Sequence, residues 1–217
     1  FLSTSAGNGG NDSITVSNCI ISASGANFPI NGILSIGTAT AGQENSAVSI
    51  LNTQIRDFFH PSLGTNGLWA ADGNTRWTVS GCRFFQSAYR TYTIGEQHRA
   101  IRITAGDGHL ISANVIGYRT ATGTGSYRMY GNVSTEFRAI DLAVGSNVAT
   151  SVQGNQIKSF QMTTASLDSS QVGAFCGINL AVGKFLVGTI TGNTIGTPAV
   201  APIGIPDTIH VSSVAGP

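Results

Sequence analysis

The sequence predicts an all-β protein: a right-handed parallel β-helix of about six coils that runs as one segment through residues 1–217. Three observations carry this. A degenerate hexamer recurs six times, a second phrase with strict apolar alternation follows it, and the composition suits short strands and turns.

The hexamer is clearest in "VQGNQI" at 152–157 and "ITGNTI" at 190–195. Gapless copies begin at Val16, Ile50, Val79 and Ile111, so the spacings are 34, 29, 32, 41 and 38 residues. A loose period of this size marks a solenoid or a propeller. Positions 1 and 6 are always apolar, whereas strand alternation puts positions 1, 3 and 5 on one face. The parity therefore breaks inside the hexamer, and a corner must sit there. Position 3 is Asn18, Asn52, Gly81, Ala113, Gly154 or Gly192, small residues of which Asn and Gly suit a left-handed backbone. Position 4 ends in Asn114, Asn155 and Asn193, which predicts an amide ladder stacked along the solenoid. Cys19, Thr53 and Cys82 fill that column in the earlier copies as small buried substitutes.

The second phrase reads "AIRITAG" at 100–106, "AIDLAVG" at 139–145 and "GINLAVG" at 177–183, with weaker copies at 32–37, 67–73 and 204–209. Ile101, Ile103 and Ala105 face one way, as do Ile140, Leu142 and Val144, and then Ile178, Leu180 and Val182. Arg102, Asp141 and Asn179 face the other way. Copies stacked at about 4.8 Å bring like charges in one column close enough to repel. That explains a charged content of 10%, against about 25% in ordinary domains. A propeller would need hairpin signals, and these are sparse.

These phrases resemble the pectin-lyase-like β-helix superfamily over nearly the whole chain. The pattern GIxLxVG…VxGNxI is also similar to β-helical stretches of very large secreted surface proteins of Bacteroidota, of the gliding-adhesin kind. The resemblance implies an extracellular or cell-surface location. Asp12-Ser13-Ile14 and Asp207-Thr208-Ile209 resemble O-glycosylation sites of envelope proteins in that phylum, with Ser13 and Thr208 as acceptors. No amphipathic helix caps either end, so the segment reads as an uncapped piece of a longer chain, with flanking repeats as its first partners.

The net charge of +1 gives no pull toward nucleic acid, and no run of about 18 apolar residues spans a membrane. Three cysteines argue against a disulfide framework; Cys19, Cys82 and Cys176 read as buried free thiols.

Function is sought in the long links from hexamer to second phrase, which leave one edge of the helix. All five tyrosines lie there, Tyr89, Tyr92, Tyr118, Tyr127 and Tyr130, interleaved with Arg90, Arg119 and Arg128. Flat rings and planar forks suit a glycan or a protein partner. The same residues also suit shielding of the loops' own small cores. Catalysis has less support. Glycoside hydrolysis needs two carboxylates about 5–10 Å apart, and the acids are scattered. The loosest candidates are Glu96, His98, Asp107 and His109, which also suit turn or solvated roles. No metal or cofactor motif is present. The expectation is a non-enzymatic structural or adhesive module; the alternative is a polysaccharide-active lyase or hydrolase.

Overall fold

The computed structural model describes residues 2–3, 9–165, 173–196 and 209–213. The protein is a parallel β-helix, and every regular element among the described residues is a strand. Three sheets of six strands form its walls, giving five steps from first coil to last. Sheet I holds the second phrases: Leu2–Ser3, Asn31–Ile36, Thr65–Ala70, Gln97–Ile103, Glu136–Ala143 and Phe175–Val182. Sheets II and III hold the two halves of the hexamer, as in Thr78–Ser80 and Arg83–Phe85.

The corner between sheets II and III lies where the broken parity requires it. Asn18, Asn52, Gly81, Ala113 and Gly154 all have φ between 48° and 67°. At Gly81 a Cβ would stand 2.3 Å from the Asn52 Oδ1 below it, so glycine is needed there twice over. A second left-handed column, Ser13, Ala47, Arg76 and Gly108, turns the chain into sheet II.

Position 4 follows one rule. Asn114 Nδ2, Asn155 Nδ2 and Asn193 Nδ2 each donate to the position-1 carbonyl of the coil below, on Val79, Ile111 and Val152, at 2.8–2.9 Å. Each Asn Oδ1 accepts from the coil below, as Asn155 Oδ1 does from Asn114 N and Nδ2. Cys82 repeats the donation through its thiol, to Ile50 O at 3.3 Å, which is why cysteine can stand in for asparagine. Asn155→Leu would remove the amide donor to the Ile111 carbonyl and leave the Asn114 N–H and one Asn114 amide hydrogen without an acceptor. It is expected to cost about 2 kcal/mol, read as a lowered urea midpoint at unchanged m-value; an unaltered midpoint would count against a ladder that matters to stability.

The sixth coil departs from the expected register. Val187, not Ile190, takes the apolar column above Val152, while Thr194 and Ile195 stay level with Gln156 and Ile157. The extra residues bulge at the corner and Ile190 is 86% exposed. Gln153 stitches the bulge, its Nε2 donating to Leu186 O and its Oε1 accepting from Ile190 N and Thr191 N. Sheet I slips in the same coil: Leu142 is level with Leu180, but Ala143 is level with Val182, so Val182 leaves the Val144 column.

Cys19 corrects another expectation. Cys82 is buried, but Cys176 is only half-buried and Cys19 is exposed, because Cys19 lies in the first hexamer, where much of the coil is open to solvent. Stretch 204–208 and Thr208 lie outside the described residues. No helix among the described residues is long and apolar enough to cross a membrane.

The long links build a fourth parallel sheet: Arg90–Thr91, Tyr127–Tyr130, Phe160–Thr164 and Ile209–Ser213. It closes a second lobe of core beside the aliphatic one. Thr65, His98, Phe137 and Phe175 share one register column of sheet I. Into this lobe Phe58 stacks on His98 at 5.0 Å and Phe137 stacks on Phe160 at 4.2 Å.

Candidate functional site

The fourth sheet divides the Tyr and Arg residues of the links. Strand alternation sends Tyr127 and Met129 inward and Arg128 and Tyr130 outward. Tyr127 is fully buried, Tyr92 is 2% exposed and Arg90 is 7% exposed. The eight residues expected to share one binding surface therefore do not. Arg90, Tyr92 and Tyr127 belong to the core: Tyr92 and Tyr127 bond His98 of sheet I, and Arg90 bonds Gln86 and Asp57.

These buried groups satisfy one another in a chain. The Tyr92 hydroxyl lies 2.9 Å from both His98 Nδ1 and Thr65 Oγ1, and Thr65 Oγ1 also bonds His98 Nδ1. His98 Nε2 meets the Tyr127 hydroxyl at 2.5 Å. Gln86 Nε2 donates to Phe58 O and to Tyr127 Oη, and Gln86 Oε1 accepts from Arg90 Nε at 2.7 Å. Arg90 then pairs with Asp57 at 2.5 Å, and its guanidinium lies 4.3 Å from the Phe28 ring centre. Ser87 closes the chain, donating to Asp57 through N and Oγ. Asp57 has φ 56°, a left-handed turn that Asp tolerates.

Burial, with Arg90 and Arg99 adding to it, holds His98 down to about 3, so its imidazole is neutral at ordinary pH. Burial pushes the Tyr92 and Tyr127 hydroxyls well above their usual range. The arrangement is a dry, satisfied network.

The other catalytic candidates are not brought together. His98 and the pair Asp107 and His109 lie at opposite ends of strand Gln97–Ile103. His109 is buried, accepts from Trp77 N at 3.1 Å and faces Ala105 O at 2.9 Å; burial lowers its pKa. Asp107 caps the next coil by accepting from Asn147 N and Nδ2. Across sheet I, Arg99 pairs with Asp141 at 2.7 Å, Arg138 bridges Glu136 and Asp141, and Asn179 donates to Asp141 at 2.7 Å. Arg102 lies over Trp69 at 4.4 Å. No group of three or more His, Cys, Asp or Glu among the described residues is placed to hold a metal ion.

What remains accessible is smaller. Tyr89 is 51% exposed, edge-on to Tyr130 at 5.7 Å, and it accepts from Arg128 Nη1. Arg119 is exposed and Tyr118 half-buried. Beside them runs an open groove of about 500 Å³ across the outer face of sheet III, lined by Gln54, Arg56, Phe85, Arg119, Thr120 and Thr124 among others. Arg56 and Phe85 are level in adjacent strands. That column, one residue past each hexamer, is a signal the hexamer reading passed over. So is a second amide column: Asn11, Asn45 and Asn74 each stand five residues before a hexamer, with Asn11 donating to Asn45 and Ser35 joining Asn45 to Asn74.

Ser13 is exposed at its left-handed corner. Neighbouring Asp12 accepts from Ser46 Oγ and N, and these bonds lower its pKa. Compared with family models, with curated proteins and with solved structures, the chain matches none.

Proposed function

We propose that this chain is a non-enzymatic scaffold and adhesive segment of an extracellular or cell-surface protein, built on a right-handed, pectin-lyase-like β-helix. One observation carries the reading: of the four candidates for hydrolytic or eliminative chemistry, His98, Asp107 and His109 are engaged in holding coils together, and Glu96 stands half-buried apart from Asp107 and His109, beyond the opposite end of strand Gln97–Ile103. Asp57, Asp107, Glu136 and Asp141 each accept from a neighbouring group, and His98 and His109 are buried. A general acid or base must reach a substrate proton, directly or through one water. The outward residues instead offer rings, hydroxyls and guanidinium groups on a stiff frame, and loops along one edge of a repeat scaffold are common binding positions. Individual contacts of this type are weak, so avidity across many copies would supply the adhesion.

The test displays the chain in many copies on beads and offers it intact cells and a panel of immobilised polysaccharides. New reducing ends and unsaturated ends are followed in the same samples. Retention without cleavage is expected. Cleavage of any polysaccharide in the panel would replace this reading with the enzymatic one.

A further inference from the structure

Resting on the adhesive reading, we propose that the groove over sheet III is a subsite for an acidic saccharide, one bearing carboxylate or sulfate groups. Arg56 and Arg119 both line it, and no Asp or Glu does. The nearest carboxylate in sequence, Asp57, is turned inward and neutralised by Arg90. That leaves an uncompensated pair of guanidinium groups. Arg56 Nε is shielded from solvent and has no hydrogen-bond partner, and its guanidinium lies 5.9 Å from the Phe85 ring centre. Arg119 donates through Nε to Ser87 O at 2.8 Å, and its guanidinium lies 5.8 Å from the Tyr89 ring centre, which leaves its two terminal nitrogens for a bidentate anion. Their backbones belong to coils two steps apart, about 10 Å along the stack, and the Arg119 side chain reaches the intermediate coil at Ser87.

The rest of the groove fits the neutral parts of such a ligand. Phe85, only 2% exposed, backs the groove next to Arg56. The far wall is set before any ligand arrives: Thr120 Oγ1 bonds Thr122 Oγ1 and Thr124 Oγ1 and accepts from Thr124 N, and Arg119 N donates to Thr124 O. A preset wall lowers the ordering cost of binding. Hydroxyls on Thr120 and Thr124 and the amide of Gln54 face a site of ordinary ligand volume. Arg forks bind carboxylate and sulfate by paired, charge-assisted hydrogen bonds.

Tetragalacturonate, a heparin tetrasaccharide and neutral maltotetraose are titrated calorimetrically into the whole chain. One or both acidic probes are expected to bind, with maltotetraose silent; which one binds separates carboxylate from sulfate. R56Q/R119Q is expected to weaken binding by about tenfold or more, whereas K184Q, which removes an exposed cation on sheet II's side, leaves it unchanged. Unaltered circular dichroism and melting of the variants exclude a folding defect. If the double variant misfolds, the Arg119 side-chain Nε–H resonance of the native chain must shift on titration. No binding of either acidic probe, equal loss in K184Q, or an unmoved Arg119 resonance would overturn the subsite. Neutral-glycan or cell binding that persists in that case would leave the adhesive reading standing.

Discussion

Asp57→Asn is expected to destabilise the protein by about 3–5 kcal/mol. Asn keeps the shape and tolerates the left-handed φ of 56°, so backbone strain does not confuse the result. The variant removes only the charge that Arg90 faces at 2.5 Å. Arg90 would then keep Gln86 and the Phe28 face as neighbours but stay buried without a counter-ion. A buried cation stripped of its partner costs far more than a surface pair contributes. Replacing both, as Asp57→Asn with Arg90→Met, should recover part of the loss, since an apolar stem fits among Phe28 and Phe59. Urea unfolding at neutral pH reads all three chains. A change under 1 kcal/mol for the single variant would mean that Arg90 reaches water.

Acid is expected to destabilise the protein through His98 well before most carboxylates titrate. In the unfolded chain this imidazole takes up a proton near 6.5; in the fold it resists until about 3. Between these values the unfolded state binds the extra proton. Stability is therefore full above about pH 6.5 and falls as pH drops toward 3, by up to about 1.4 kcal/mol per pH unit. His109, also lowered by burial, acts in the same direction. Between pH 7 and 5, His98→Gln should be less stable at neutral pH but show a shallower decline, by close to one proton. An unchanged slope would show that His98 is not the group responsible.

The fold was legible in the sequence because its determinants are periodic. The apolar positions of the hexamer, the small residue at its corner and the Asn at position 4 each repeat a local requirement once per coil. In the sixth coil only the first apolar position is displaced, by three residues, because "LVGTI" offers two apolar candidates, Val187 and Ile190, for one column. Only pairing with Thr150–Gln153 chooses between them. The links were harder for a different reason. Tyr and Arg are amphipathic, and their direction depends on which neighbours lie inside. "YRMY" does alternate, and read as a strand it places Tyr127 beside Met129. Nothing in that phrase says that His98, from a strand of sheet I, waits there to bond the Tyr127 hydroxyl. The groove of Arg56 and Phe85 draws its lining from coils as far as two steps apart in the stack, so no single phrase announces it.

The inward turn of the links around a dry, neutral His98 is the claim on which the separation of core from binding surface depends. Its most direct test is a long-range proton–nitrogen NMR titration of the His98 ring in the folded chain. The account predicts a single neutral tautomer whose shifts stay constant from pH 8 to the onset of acid unfolding. A His98 ring that titrates near 6.5 would place it in water and return Tyr92, Tyr127 and Arg90 to the surface.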